Sequence, residues 1–248
     1  MSSQATTESG PESLAVEIKG LSKAFGRTQV LRNLDLDVPW GQVLTILGQN
    51  GSGKTTLIKM LATLTRPDKG SVRIAGLDME RNGPSIRRVI GVVTHDPLLY
   101  DSLTAYENLK FYCRMFGLDR VEERIMMVAE SMGMASRLHH RVGTLSHGMK
   151  KRFSIARSLL HGPRILLLDE PESGLDQEAL AMLDEVITYQ TDPPRTVLMT
   201  THNLERALAL GNRMAILSNG RIAYEESPET VGTAALRDAY FKHTGATS

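Results

Sequence analysis

Between the apolar run Val43-Leu44-Thr45-Ile46-Leu47 and a helical pattern lies Gly48-Gln49-Asn50-Gly51-Ser52-Gly53-Lys54-Thr55-Thr56, and no other stretch restricts the fold of this chain so tightly. From Gly48 through Thr55 it matches G-x-x-x-x-G-K-[ST], a pattern whose glycines let backbone amides turn inward around a phosphate. The helix that follows adds the favourable end of its dipole, Lys54 reaches the outer phosphates, and the Thr55 hydroxyl can ligate a magnesium ion. An ordinary glycine-rich turn gives no reason for a lysine and a threonine in those places. The segment therefore predicts a nucleotide site built between a strand and a helix.

The rest of the chain supplies the frame for such a site. With 248 residues and 41% hydrophobic content it can bury a substantial core. Val16 and Ile18, then Leu34, Leu36 and Val38, alternate with polar neighbours and predict half-exposed strands of an antiparallel sheet. Val43–Leu47, Val89–Val93, Ile165–Leu168 and Thr196–Met199 are short, nearly continuous apolar runs, the pattern of parallel strands covered on both faces. Leu57, Met60, Leu61 and Leu64 fall on one helical face, as do Ile125, Val128, Ala129 and Met132. From Pro97 to about Leu160 three helical segments and no strong strand predict a helical subdomain inserted into the α/β core. Asn219-Gly220, between Met214–Leu217 and Arg221–Tyr224, suits the positive φ values of a tight hairpin. The first thirteen residues read as a tail, as do residues 244–248.

Composition excludes several roles. Lys plus Arg number 29 against 28 for Asp plus Glu, so no global field draws nucleic acid or anionic lipid. The single cysteine, Cys113, cannot form an internal disulfide and reads as a small core residue, in keeping with a reducing compartment. No apolar run approaches the roughly 18–20 residues needed to span a bilayer. Any membrane role must then use a separate chain.

Two further segments carry chemistry. Ile165–Leu168 runs into Asp169-Glu170, two carboxylates whose desolvation is costly without a cation or donors nearby. Asp169 would hold magnesium and Glu170 would polarise the water that attacks a γ-phosphate, since phosphoryl transfer rests on positioning and electrostatics. Thr200-Thr201-His202 puts a histidine where open parallel sheets place ligand groups, which makes His202 a candidate γ-phosphate contact.

Together with Leu145-Ser146-His147-Gly148-Met149 and Ser173-Gly174-Leu175-Asp176, these segments resemble the nucleotide-binding domain of ABC transporters over residues 14–243. The resemblance implies a P-loop NTPase with a RecA-like core, an N-terminal antiparallel β-subdomain and an inserted helical subdomain at about 97–160. It implies ATP and Mg²⁺ as ligands and a head-to-tail dimer, of like or unlike chains, in which each ATP lies between one phosphate loop and the other chain's signature segment. Ser146 is a good N-cap and Gly148 permits close approach, so the free amides beyond them can face an anion. Phe25 falls where the family stacks an aromatic on adenine, although a core position is a competing reading, and Asp176 would lie at the dimer interface. A separate permease on the cytoplasmic membrane face would be the partner, with no nucleic acid expected; a soluble ATPase acting on ribosomes or DNA is the alternative from another class.

Two places depart from the family pattern. In the signature, usually Leu-Ser-Gly-Gly-Gln, His147 replaces a glycine and Met149 the glutamine, which allows slower or differently coupled hydrolysis. The loop Val93-Thr94-His95-Asp96-Pro97 lacks the glutamine the family presents to magnesium and water, so His95 or Asp96 must substitute or the contact is lost. These departures, with Leu99–Leu109 and Leu236–Gly245, look like single-domain export ATPases, most of all the haem-exporter type of cytochrome c maturation; multidrug and antibiotic export ATPases have similar endings.

Overall fold

The computed structural model describes residues 14–189 and 191–245. The predicted N-terminal tail lies outside the described residues, as do residues 246–248 of the C-terminal one.

β1 (Val16–Phe25) and β2 (Thr28–Val38) form a long antiparallel pair, extended by β4 (Lys69–Ile74) and β5 (Leu77–Asp78) into a sheet ordered β2-β1-β4-β5. The second sheet contains β3 (Val43–Leu47), β6 (Ile90–Val93), β7 (Ile165–Asp169), β8 (Thr196–Thr201), β9 (Arg213–Ser218) and β10 (Arg221–Glu226), in the order β10-β9-β3-β8-β7-β6. Every neighbouring pair from β9 to β6 is parallel, and β10 returns antiparallel. The hairpin turn is the expected one, with φ of 50° at Asn219 and 76° at Gly220.

The continuous apolar runs follow from burial on both faces. Leu167 and Leu198 face a cluster shared with the antiparallel sheet and α1 (Lys54–Leu61), whereas Leu166, Leu168, Val197 and Met199 face the helices on the other side. Those helices are α3 (Ala105–Phe116), α4 (Val121–Ser131) and α5 (His147–Leu159), with two single 3-10 turns between α4 and α5. A capping box sets the start of α3: Thr104 Oγ1 accepts from the Glu107 amide, and the Glu107 carboxylate accepts from the Thr104 amide. Cys113 is fully buried there, and burial pushes its thiol pKa up, as suits a packing residue. The remaining helices are α2 (Gly83–Val89), α6 (Gln177–Thr188), α7 (Leu204–Leu210) and α8 (Pro228–Thr244), the last interrupted at Gly232, where φ is 76°.

Three sequence expectations change. Leu64 is not on the buried face of α1 but 54% exposed. The helix ends at Leu61 because Thr63 takes a left-handed φ of 61° and the Thr63 and Leu64 amides donate back to Met60 and Lys59, closing the last turn. Val89 ends α2 and the strand begins at Ile90, a helix-to-strand junction that a continuous apolar run conceals. Thr244, expected in the tail, is the last residue of α8.

One glycine fixes how α5 sits on the sheet. A Cβ at Gly91 would lie 2.5 Å from the Ser158 carbonyl oxygen of α5, 2.7 Å from Leu166 and 2.8 Å from Pro163. Gly91→Ala should therefore cost about 1–3 kcal/mol through overpacking, read as a lower urea midpoint. An unchanged midpoint would show that α5 can move away from the sheet freely.

Candidate functional site

The parallel register delivers the predicted residues to one edge. Leu47 pairs with Thr201, and Asp169 with Thr200, so the chain leaves β3 at Gly48, β7 at Glu170 and β8 at His202 from adjacent strand ends. There Asn50, Gly51, Gly53, Lys54, Thr55 and Thr56 line a cavity of about 430 Å³ together with Val30 and Glu170.

The loop takes its shape from close packing. A Cβ on Gly48 would lie 2.4 Å from the Leu217 carbonyl, and Gly53 has φ of 111° immediately before α1. Lys54 is 4% exposed; its ammonium donates to the Gly48 carbonyl at 2.7 Å and the Gln49 carbonyl at 3.2 Å, and lies 3.4 Å from Glu170 Oε1. Ser52 Oγ is buried without a protein partner. The Gln49 side chain turns away from the others: its amide donates to the carbonyl of Thr244 at the end of α8.

Asp169 is 3% exposed and accepts from Thr200 Oγ1 at 2.7 Å. Glu170 has φ of 43°, a left-handed conformation that costs a side-chain-bearing residue of the order of 1–3 kcal/mol. Its amide donates to the Thr200 carbonyl at 3.1 Å, and its Oε2 lies 3.5 Å from His202 Nδ1. Lys54, Glu170 and His202 thus form one chain of contacts.

Other predicted residues lie elsewhere. Ser146 caps α5, its Oγ accepting from the Met149 amide at 3.3 Å, and Ser146, Gly148 and Asp176 line a different cavity of about 520 Å³. Asp176 Oδ1 accepts from the Ala179 amide as N-cap of α6 and from Arg152 at 2.6 Å; these two bonds, in that order, hold its pKa below the ordinary carboxylate range. His95 and Asp96 are exposed beyond β6, where Thr94 Oγ1 donates to the Asp96 carbonyl. Phe25 is 54% exposed at the end of β1, with the Lys23 ammonium 5.5 Å from its ring centroid, which removes the competing core reading.

Sequence reasoning missed four participants. Thr200 holds Asp169, Arg152 holds Asp176, Glu172 accepts from Thr201 Oγ1, and Lys151 is buried beneath Glu170. Arg152 and Lys151 sit in a basic run to which the sequence alone assigned no role. The signal available was helical spacing, since Lys151 and Arg152 stand one turn before the apolar Ile155 and Ala156, which α5 buries.

Comparison with known proteins places these features in a family. Residues 31–173 match the family model described as ABC transporter. The daunorubicin/doxorubicin resistance ATP-binding protein of Streptomyces peucetius is 37% identical over 229 residues, covering 90% of this chain and 69% of the relative. A Nod factor export ATP-binding protein I from a Rhizobium species is 34% identical over 220 residues, covering 88% and 72%. Among solved structures, a dimeric ATP-binding cassette in a post-hydrolysis state bound to ADP and Pi superposes with a TM-score of 0.76 at 27% identity, covering 86% of this chain and 98% of that one.

The bond from Thr200 to Asp169 yields a test. Thr200→Val keeps the shape but strips a buried carboxylate of its donor, which should cost about 1–3 kcal/mol in denaturant unfolding. A variant as stable as the parent would mean that Asp169 is satisfied by other groups.

Proposed function

This chain belongs to the ABC transporter family, and we propose that it is the ATP-hydrolysing subunit of an export complex, paired head to tail with a second ATPase chain on a separate permease. The observation that carries the pairing is the separation of the two cavities. Lys54 and Glu170 line one, and Ser146 and Gly148 the other. In one chain the signature and the phosphate loop line different cavities, which supports a pairing in which a second chain brings its signature to each nucleotide.

In this reading the amides of Gly48–Thr56 cradle the phosphates, Lys54 turns from its loop carbonyls to the outer phosphates, and Phe25 offers its exposed face to the base. Gln49 contributes through its backbone, since its side chain is tied to α8. Thr55 and Asp169 supply hard oxygens that fit Mg²⁺, which favours one or two protein oxygens with phosphates and waters over an all-protein cage. The metal would neutralise charge on the phosphate oxygens. Glu170 orients the attacking water, His202 beside it contacts the γ-phosphate, and His95 or Asp96 takes the place of the switch-loop glutamine. The capped start of α5, at Ser146 and Gly148, receives the γ-phosphate of the partner's nucleotide.

No described helix is long and apolar enough to cross a membrane, so export requires the permease, which would hold this chain at the cytoplasmic face. Leu98, Met115 and Phe116 line a groove between the core and the helical stretch, beside the switch loop, and are well placed to receive it. The names of the relatives, one for daunorubicin/doxorubicin resistance and one for Nod factor export, favour a drug or antibiotic cargo or a Nod-factor-like one over haem, whose support is confined to short resemblances in the switch loop, the signature and two flanking stretches.

Purified Glu170→Gln protein should bind ATP, lose roughly 10²–10⁴-fold in turnover, and elute as a dimer with ATP. Near-normal hydrolysis, or a monomer in saturating ATP, would defeat the assignment. Lys54→Ala should weaken ATP binding by about 1.5–3 kcal/mol, the worth of hydrogen bonds to a charged group, in an equilibrium titration. His95→Ala and Asp96→Ala should differ in turnover and in magnesium dependence; two silent variants would exclude both as the replacement. Gentle solubilisation of membranes should recover the protein with a permease, whereas recovery only with ribosomes or DNA supports the soluble alternative.

A further inference from the structure

Helix α5 carries a buried cation for which the reaction outlined above has no use. Lys151 is 3% exposed, and its ammonium donates to two backbone carbonyls, that of Thr94 at 3.3 Å and that of Glu170 at 3.4 Å. Among the described residues no carboxylate oxygen lies within ion-pair distance of it. Burial pushes its pKa down, and attraction from Asp169, Glu172 and Glu170 opposes that. A lysine in the interior without an ion-pair partner is costly, and a neutral side chain would fill the same space. Its donors are spent on the two loops that flank the reacting centre.

Those two carbonyls explain its place. Thr94 follows β6 and opens the switch loop with His95 and Asp96, while Glu170 follows β7. Glu170 is held in its left-handed conformation from both sides, by the Thr200 carbonyl on its amide and by Lys151 on its carbonyl. Such a conformation persists only where the surroundings over-determine it, and it aims the carboxylate at Lys54 and His202. Lys151 also lies five residues, roughly 7.5 Å, along the helix from Ser146. The helix whose first turn faces the partner's nucleotide thus touches the backbone of its own chain's Glu170, the residue that carries the hydrolytic carboxylate.

We propose that Lys151 is a positioning residue through which the signature helix sets the Glu170 carboxylate and the switch loop, so that engagement of the partner's nucleotide tunes hydrolysis in its own site. The proposal rests on the two-chain reading and on Glu170 as the water-orienting group.

The test is ATP hydrolysis and equilibrium ATP binding by the full chain carrying Lys151→Met and Lys151→Arg. Loss of the two bonds should lower kcat by about 10- to 100-fold, the scale of an ångström-sized misplacement, with KM and ATP affinity nearly unchanged. Lys151→Arg, which keeps charge and donors, should recover most of the turnover, and Lys151→Met added to Glu170→Gln should leave the ATP-dependent dimer intact. Wild-type turnover in Lys151→Met, or equal losses of kcat and ATP affinity, overturns the proposal. If Lys151→Met does not fold, the same split is read on Lys151→Gln. Normal hydrolysis by Glu170→Gln alone would place the fault in the role of Glu170 and not in Lys151.

Discussion

The site depends first on the register in which β3, β8 and β7 are hydrogen-bonded. Leu47 beside Thr201 and Asp169 beside Thr200 put three strand ends at one level, and the residues that follow them carry the phosphate loop, the carboxylate and the histidine. A slip of one residue in any of these strands would turn its side chains to the opposite face. Leu167 would then leave the cluster under the antiparallel sheet, and Leu166 and Leu168 the cluster under the helices. The cost of misplacing that apolar surface is what holds Lys54, Glu170 and His202 together, long before any ligand contributes.

Charge is buried around this frame under strict conditions. Lys54, Lys151, Arg152 and Asp169 are each less than a tenth exposed, and each meets a carbonyl, a carboxylate or a hydroxyl. Interiors hold ions only where partners replace the lost water, so each such group restricts the position of its partner as well as its own. Three of the four constrain loops and not strands: Lys54 the phosphate loop, Lys151 the peptides of Thr94 and Glu170, and Arg152 the Asp176 turn. The polar groups thereby order the segments that the hydrophobic core leaves free.

What the sequence revealed and what it hid divide along the same line. Gly48–Thr56 and Asp169-Glu170 were legible because their spacing is itself the chemistry, and the apolar runs were legible because two-sided burial demands them. Long-range polar contacts were not. Gln49 reaches Thr244 across 195 positions, and nothing in the local sequence announces it. Nothing in the spacing of Lys150-Lys151-Arg152 assigns them partners, and it is tertiary packing that turns Lys151 and Arg152 inward. Leu64 failed for the opposite reason: helical periodicity continued in the sequence after Thr63 had already ended the helix.

The altered signature shows how a departure from a family pattern can leave the shared geometry intact. The His147 ring lies against Gly174: a Cβ added at Gly174 would come within 2.6 Å of His147 Nδ1. Gly148 is needed from the other side, since a Cβ there would lie 2.8 Å from the Gly174 carbonyl oxygen. The imidazole therefore occupies room left by a glycine in the loop after Glu170, and Ser146 keeps its hold on the Met149 amide. Because the Met149 link in the cap is made by its backbone, the change from glutamine to methionine does not disturb it. What the two replacements alter is the surface that the proposed pairing would turn to a second chain, and the helix start that would meet the phosphate is preserved.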